Sequence, residues 1–323
     1  MKLKKIKNLL NQIKLSKSNI LVLGDVMLDQ YIFGDVDRVS PEAPVPILNY
    51  KNKKDVLGGA GNVVHNLVNL GNNVSIATII GNDLHGKMIL RLIQNIGGST
   101  DLILKLESSN TTTKTRFLSG GTQLLRLDHD SVDPPSSTLK SYRDNVIKNL
   151  EKFDCLIISD YNKGVCEKLM LQSVIHYANS INIPVFIDPK GTKWDKYKDA
   201  TCLTPNTKEV EKKLDIELVT DSDFELAAKN LKRLFNLKSI IITRGSDGMT
   251  YCNDGKILHQ KVEKKEVFDV SGAGDTVISC LASSFINGIS IDDSIELSNF
   301  VASCVVSHTG TTPFDVRFLK RTI

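Results

Sequence analysis

Short apolar runs recur along this 323-residue chain, and a polar or glycine turn follows each of them. Helical patterns lie between these runs, so strands and helices are predicted to alternate. Continuous apolar strands in such an order are typical of an α/β fold with a mostly parallel central sheet covered on both faces. Ligands of such sheets bind beyond the carboxyl ends of the strands. The predicted strands span 20–23, 74–80, 155–158, 184–187, 202–203 and 239–242, and the predicted helices span 61–70, 84–96, 141–150 and 223–235.

Two segments, about 29–51 and 111–128, break this pattern. The first is rich in proline and valine, and the second alternates around Gly120-Gly121, which predicts a β-hairpin with both glycines in its turn. We expect both segments to be extended and to form a small β-lid over the ligand edge of the main sheet. Because exposed strand edges tend to be paired or covered, the lid is predicted to mediate a homodimer.

Composition excludes several classes of protein. The 41 Lys and Arg against 37 Asp and Glu leave a net charge of +4, too little for a nucleic-acid partner to be expected. No apolar run approaches the ~20 residues that span a bilayer, and the six scattered cysteines form no Cys-x-x-Cys pair, as is usual in a reducing compartment. We expect a cytoplasmic protein without a membrane partner. Leu3, Ile6, Leu10 and Ile13 predict an N-terminal helix packed on the body, with binding at a membrane surface as the alternative.

The most informative string is Asp-Val-Ser-Gly-Ala-Gly-Asp-Thr at 269–276, which precedes an apolar, helix-like stretch. Its small residues let the backbone approach a ligand, and the amides of Gly272, Ala273 and Gly274 at a helix N-terminus form an anion site. A carboxylate repels anions, so Asp275 fits this place as the base that takes a proton from an attacking hydroxyl. The alternative is that Asp275 only caps the helix.

This string resembles the C-terminal signature of the ribokinase-like sugar kinases, the phosphofructokinase B family. Their N-terminal signature is similar to Gly-Gly-Ala-Gly-Asn at 58–62. The resemblance extends from Ile20 to about Pro313. It implies a three-layer ribokinase-like fold over residues 1–323, with the two lid segments inserted, and the use of ATP and Mg²⁺. In many members it also implies a monovalent cation such as K⁺.

Four further strings, at 24–29, 37–46, 188–191 and 203–206, resemble the bacterial D-glycero-β-D-manno-heptose-7-phosphate kinases. That resemblance implies phosphorylation of the anomeric hydroxyl of a heptose 7-phosphate, a sugar phosphate, to the 1,7-bisphosphate, in ADP-heptose synthesis for lipopolysaccharide. Some of these kinases carry a fused nucleotidylyltransferase domain. Its His-x-Gly-His signature is absent here, so the sequence is expected to hold the kinase alone. Ser271 departs from the Thr common in the family but keeps the hydroxyl.

Asp25, Gly58, Gly59 and Asn62 are assigned by the resemblance to sugar binding. A glycine turn lets the backbone approach a polyol, and Asp and Asn side chains hydrogen-bond its hydroxyls. From the residues alone, a tight turn with Asn as a helix cap is an equal alternative.

Residues Asn206, Thr207, Lys208 and Glu209 resemble the family's Asn-x-x-Glu motif. Asn206 and Glu209 share one helical face, where their oxygens suit water-mediated binding of Mg²⁺ near the phosphates of ATP. The alternative is a capping box, which has almost the same pattern.

The loop with Thr243, Arg244, Gly245 and Gly248 follows a predicted strand, and the resemblance assigns it to the nucleotide; an ordinary turn is the alternative. Asn299 and residues 308–311 lie where the family closes its adenine pocket. His308 is assigned no catalytic role.

The phosphate of the substrate requires cations. The candidates are Arg38, Lys114, Arg116, Arg126 and Lys190. Each alone is a common surface charge, and their position in the lid and at a strand end favours Arg116 and Lys190.

The chain contains no P-loop motif, no Gly-x-Gly-x-x-Gly after its first strand and no Gly-x-Ser-x-Gly, which disfavours the enzyme classes with those motifs. Two alternatives remain open: a related kinase for ribose, fructose or a fructose phosphate, and a catalytically silent sugar- or nucleotide-binding protein.

Overall fold

The computed structural model describes residues 3–131, 134–261, 271–307, 310 and 312–320. Its strands are β1 (Asn19–Gly24), β2 (Val26–Val39), β3 (Pro46–Gly59), β4 (Asn73–Gly81), β5 (Ser99–Leu106), β6 (Thr113–Ser119), β7 (Thr122–His129), β8 (Cys155–Ser159), β9 (Val185–Asp188), β10 (Cys202–Leu203), β11 (Ser239–Thr243), β12 (Met249–Asn253) and β13 (Ile257–Gln260). Its α-helices are α1 (Leu3–Ser16), α2 (Ala60–Leu70), α3 (Leu84–Asn95), α4 (Ser136–Asn149), α5 (Lys168–Ser180), α6 (Thr207–Leu214), α7 (Asp221–Leu234), α8 (Ala273–Ile286) and α9 (Ile291–Val305).

The larger sheet has the strand order β13-β12-β11-β10-β9-β8-β1-β4-β5. Every pairing from β11 to β5 is parallel, and β12 and β13 continue the sheet in antiparallel fashion. The predicted α/β fold with a mostly parallel sheet is therefore confirmed. Each predicted strand and helix lies within or close to an observed one. Helix α4 begins at Ser136, five residues before its predicted start, and the carbonyl of Pro135 at its N-cap accepts the first helical hydrogen bond, from the Leu139 amide at 3.0 Å.

Both faces of this sheet are buried, as continuous apolar strands require. Leu21 and Leu23 pack on one face, in a core shared with α4, α5 and α7. Ile20 and Val22 point to the other face, where α2, α3 and α8 cover the sheet. This arrangement gives the three layers of the fold. Helix α1 packs outside the second layer through Ile6, Leu10 and Ile13, as its spacing predicted.

The second sheet has four strands in the order β3-β2-β6-β7. Strands β2 and β3 form a long antiparallel pair, and β6 and β7 form the predicted hairpin, in which Gly120 and Gly121 both have positive φ. Strand β7 is exposed along its whole length. Among the described residues, no helix is both long and apolar enough to cross a bilayer. All six cysteines are buried and free.

Candidate active site

Asp275 lies in the first turn of α8, and its side chain is buried. One carboxylate oxygen accepts a hydrogen bond from Asn62 Nδ2 at 2.8 Å, and the other accepts one from the Tyr161 hydroxyl at 3.0 Å. Burial raises the pKa of Asp275 to about 6, against the lowering effect of these two hydrogen bonds. A carboxylate with a pKa near neutrality is suited to general base catalysis.

The N-terminus of α8 adjoins this carboxylate. The first turn of a helix leaves amide groups without intrahelical partners, and its dipole favours negative charge. Gly274 is exposed here, and among the described residues a Cβ built on it would meet only Asp188 Oδ2, at 3.8 Å. Gly272, Ala273, Gly274 and Asp275 all line one cleft, so the structure brings these predicted residues together. Asp269 and Val270 of the same string lie outside the described residues.

Tyr161 was not singled out from the sequence, although it holds Asp275. Burial and the neighbouring Asp275 carboxylate raise the pKa of the Tyr161 phenol well above its usual value, so the phenol stays protonated and donates. Its loop is anchored by Asp25, whose carboxylate accepts hydrogen bonds from the amides of Tyr161, Lys163 and Val165 at 2.8, 3.1 and 3.0 Å. The structure thus gives Asp25 a loop-anchoring role; its sugar-binding role stays a prediction.

Asp29 is a second residue that the sequence analysis did not select. It is buried, and its Oδ1 accepts a hydrogen bond from Arg116 at 2.7 Å. Gly58 permits this position, because a Cβ there would lie 2.5 Å from Asp29 Oδ2. Gly59 directly precedes α2. Asp29 is the last residue of the string at 24–29 that resembles the heptose-phosphate kinases. Its place in that string was the sequence feature that could have identified it.

Asn62 extends the site into the core. Its backbone oxygen accepts a hydrogen bond from Asn66 Nδ2 at 2.9 Å. The Oδ1 of Asn66 in turn accepts from the Thr276 hydroxyl at 3.1 Å and from the Phe314 amide at 2.9 Å. These buried bonds join α2, α8 and the C-terminal segment, so the position of Asp275 is fixed from two directions.

A cavity of about 770 Å³ opens beside Asp275, beyond the carboxyl ends of β9, β10 and β11. Most residues predicted to bind the nucleotide line it: Asn206, Thr207, Lys208, Glu209, Thr243, Arg244, Gly245, Gly248 and Asn299. The Nδ2 of Asn299 is buried and has no hydrogen-bond partner in the described chain. An unpaired buried donor on a cavity wall fits an acceptor on a ligand such as a purine base. His308, Thr309 and Thr311 lie outside the described residues.

Asn206 and Glu209 form a capping box at the start of α6, the alternative weighed above. The Glu209 carboxylate oxygen that takes no part in the capping box accepts a hydrogen bond from Lys190 Nζ at 3.0 Å. Burial raises the pKa of Asp188 well above its usual range, and the Glu209 and Asp275 carboxylates raise it further, which Lys190 only partly offsets. Crowded carboxylate and amide oxygens are the donor set that Mg²⁺ prefers, so these residues fit a divalent cation.

The Arg244 loop shows a different pattern. The guanidinium stacks over Phe224 at 4.1 Å and donates to Asp221 Oδ1 at 2.6 Å, so its charge is already paired. A Cβ on Gly248 would lie 1.9 Å from the Gln260 oxygen, and this glycine is therefore required by packing against β13. A Cβ on Gly245 would meet no atom of the described residues within 4 Å. A phosphate contact of Arg244 stays a prediction.

A buried carboxylate beside an exposed helix N-terminus, at the carboxyl edge of a parallel sheet, suits phosphoryl transfer. The chain belongs to the pfkB family of carbohydrate kinases, whose model matches residues 17–316. It is 38% identical over 294 residues to the bifunctional protein HldE of Trichlorobacter lovleyi, covering 90% of this chain and 60% of that protein. It is 39% identical over 304 residues to HldE of Methylobacillus flagellatus, covering 94% and 62%. The chain thus spans about three-fifths of the length of these relatives.

Solved structures show the same fold. Phosphofructokinase-2 from Escherichia coli in complex with potassium superposes with a TM-score of 0.78 at 16% identity, covering 94% of this chain and 97% of that one. Ribokinase from Arabidopsis thaliana complexed with ribose and ATP gives 0.73 at 18%, covering 94% and 98%. The ribokinase-like fold is confirmed. The protein is an ATP-dependent carbohydrate kinase, and kinases of this family use ATP with a divalent metal.

Proposed function

We propose that this kinase transfers the γ-phosphoryl group of ATP to the anomeric hydroxyl of D-glycero-β-D-manno-heptose 7-phosphate, giving the 1,7-bisphosphate. The identity with HldE proteins over more than 90% of the chain supports this substrate. Because the chain matches about three-fifths of each relative, only the kinase reaction is proposed. Its place would be the cytoplasmic synthesis of ADP-heptose for lipopolysaccharide.

The observation that carries the proposal is the buried Asp275 carboxylate beside the open N-terminus of α8. In the proposed step the proton of the anomeric hydroxyl passes to Asp275 as the sugar oxygen bonds to the γ-phosphorus. The bond from that phosphorus to the β–γ bridging oxygen breaks, and ADP leaves. The amides of Gly272, Ala273 and Gly274 stabilise the charge of the transferred group. Asn62 and Tyr161 orient the base, and Asp29, Gly58 and Gly59 border the sugar.

The cofactor assignments belong to the same proposal. Mg²⁺ would be held near Glu209 and Asn206 through water and would neutralise phosphate charge. A K⁺ ion is proposed by analogy with the potassium named for the E. coli phosphofructokinase-2 structure. We expect activity to disappear with EDTA and return with Mg²⁺, and to be higher in K⁺ than in Na⁺. Equal rates in the two monovalent salts would contradict the K⁺ assignment.

We also propose that residues 1–323 form one kinase domain, that the four-stranded sheet acts as its lid, and that two chains associate through it. Leu125 and Leu127 support the dimer, since they are 59% and 57% exposed on the sheet face opposite Arg126. Light scattering should give the mass of a dimer for the wild type and of a monomer for Leu125→Lys/Leu127→Lys. A monomeric wild type at assay concentration would contradict this part.

The test of function is an ADP-release assay on heptose 7-phosphate, ribose, fructose and fructose 6-phosphate. We expect the highest kcat/KM on heptose 7-phosphate and roughly 10²–10⁴-fold lower turnover for Asp275→Asn. A preference for another sugar would overturn the substrate and keep the kinase. ADP release with none of them, from a folded protein, would contradict this whole substrate range.

A further inference from the structure

Lys114 lies on the face of the lid sheet that is turned toward Tyr161. The parallel register places it beside Asp29, and the antiparallel register places it opposite Asp128. Its Nζ is 5.9 Å from the centre of the Tyr161 ring, and the hydroxyl of that ring holds Asp275. One tyrosine therefore separates this ammonium group from the candidate base.

Lys114 differs from its basic neighbours because its side chain forms no hydrogen bond or ion pair within the described part of the chain. The side chain is nevertheless half-buried. Burial lowers the pKa of Lys114, and the more distant Asp29 and Asp128 only partly offset this. The neighbouring cations are paired: Arg116 with Asp29, Arg126 with Asp128, Lys163 with Asp130 and Lys190 with Glu209.

A second feature of the Lys114 face of the lid sheet indicates an anion site. Arg116 stands directly opposite Arg126 across β6 and β7, and like charges in that position destabilise a sheet. With Lys114 two residues away, three cations meet the two carboxylates of Asp29 and Asp128. A bound dianion would relieve the repulsion and give Lys114 the partner that it lacks.

We propose that Lys114, with Arg126 beside it, binds the phosphate that the sugar substrate already carries, at the end remote from the hydroxyl that Asp275 deprotonates. This proposal rests on the proposed function and deepens it. The site would select sugar phosphates over free sugars, because an unphosphorylated sugar leaves the Lys114 ammonium desolvated and unpaired. Tyr161, between the two sites, would then lie along the carbon chain of the bound sugar.

The test compares heptose 7-phosphate with the same heptose lacking phosphate. For Lys114→Met we expect kcat/KM to fall roughly 10- to 100-fold on the phosphorylated sugar and to stay within about twofold on the free sugar. Inorganic phosphate should compete with the phosphorylated sugar in the wild type and lose this effect in Lys114→Met. The matched control is Lys256→Met, which removes a lysine paired with Asp292 from the turn between β12 and β13 of the larger sheet and should leave both rates unchanged.

Several outcomes decide the proposal. Lys114→Met with undiminished kcat/KM on the sugar phosphate would overturn it. An equal loss of kcat/KM on both sugars would also contradict it. Lys114→Arg keeps the positive charge and should therefore retain most of the preference for the phosphorylated sugar. A wild type that prefers another sugar phosphate would overturn only the heptose assignment. Lys114→Met would then be tested on that sugar with and without its phosphate. A wild type that prefers free sugars would overturn both proposals.

Discussion

The two sides of Asp275 manage charge differently. On the nucleotide side, Arg244 is paired with Asp221 and Lys190 with Glu209, and Lys208, which also lines the cavity, is exposed to solvent. On the lid side, Lys114 is half-buried and unpaired within the described chain, and Arg116 faces Arg126. A charge that is already paired costs little before its ligand arrives, whereas a half-buried cation without a partner carries a desolvation cost that a matching anion removes. The lid side is therefore where we expect substrate selection to be strongest.

The largest effect that sharpens this contrast is expected for Asp29→Asn on the lid side. The change removes the charge that pairs with Arg116 and that we propose borders the sugar, so kcat/KM for the sugar should fall roughly 10- to 100-fold while KM for ATP stays constant. Asp29 also raises the pKa of Asp275, so the acid limb of the pH–rate profile should move to lower pH. Steady-state kinetics with each substrate varied at several pH values measures both effects. A matching rise in KM for ATP would break the contrast.

Tyr161→Phe should have a smaller effect and the opposite sign. The hydrogen bond from Tyr161 lowers the pKa of Asp275, so its loss raises that pKa and moves the acid limb to higher pH. We expect kcat to fall roughly 3- to 10-fold at neutral pH. The matched pH profiles of Tyr161→Phe and Asp29→Asn are the readout, because a merely structural role of either residue would not shift the two limbs in opposite directions. Shifts of the same sign would contradict the account.

Arg244→Met should have the smallest catalytic effect. Its guanidinium is held by Asp221 and by the ring of Phe224, so KM for ATP should change less than about threefold, as for other paired charges near a surface. KM for the sugar should not change. The same steady-state assay decides, and a tenfold rise in KM for ATP would show that Arg244 leaves Asp221 to contact phosphate.

Sequence reasoning reached the fold because its signals are local. Each of these signals lies within about ten residues of sequence: the apolar runs, the Gly120-Gly121 turn and the helix that follows Gly272. The predicted nucleotide-binding residues line one cavity for the same reason, since the carboxyl ends of parallel strands meet at one edge.

The site was harder to predict where it depends on distant pairs. Asp29 acquires its place through Arg116, and Tyr161 through both Asp25 and Asp275, across more than 80 residues in each case. The spacing of Asn206 and Glu209 fits both a helix capping box and a metal site, so the sequence could not distinguish the two. The structure shows the capping box. The sequence favoured Arg116 and Lys190 as phosphate ligands, because it does not show that each of them has a carboxylate partner in the fold. Lys114 has no such partner, and we therefore propose it as the main phosphate ligand.

The most direct test of the central claim is the pH dependence of kcat/KM for the sugar in the wild type and in Asp275→Asn. A base with a pKa of about 6 predicts that wild-type activity falls tenfold per pH unit below that value, because the protonated carboxyl cannot accept the hydroxyl proton. Asp275→Asn should be roughly 10²–10⁴-fold slower at neutral pH and should lack the acid limb. An Asn variant that keeps the wild-type rate, or that keeps the same acid limb, would show that Asp275 is not the base.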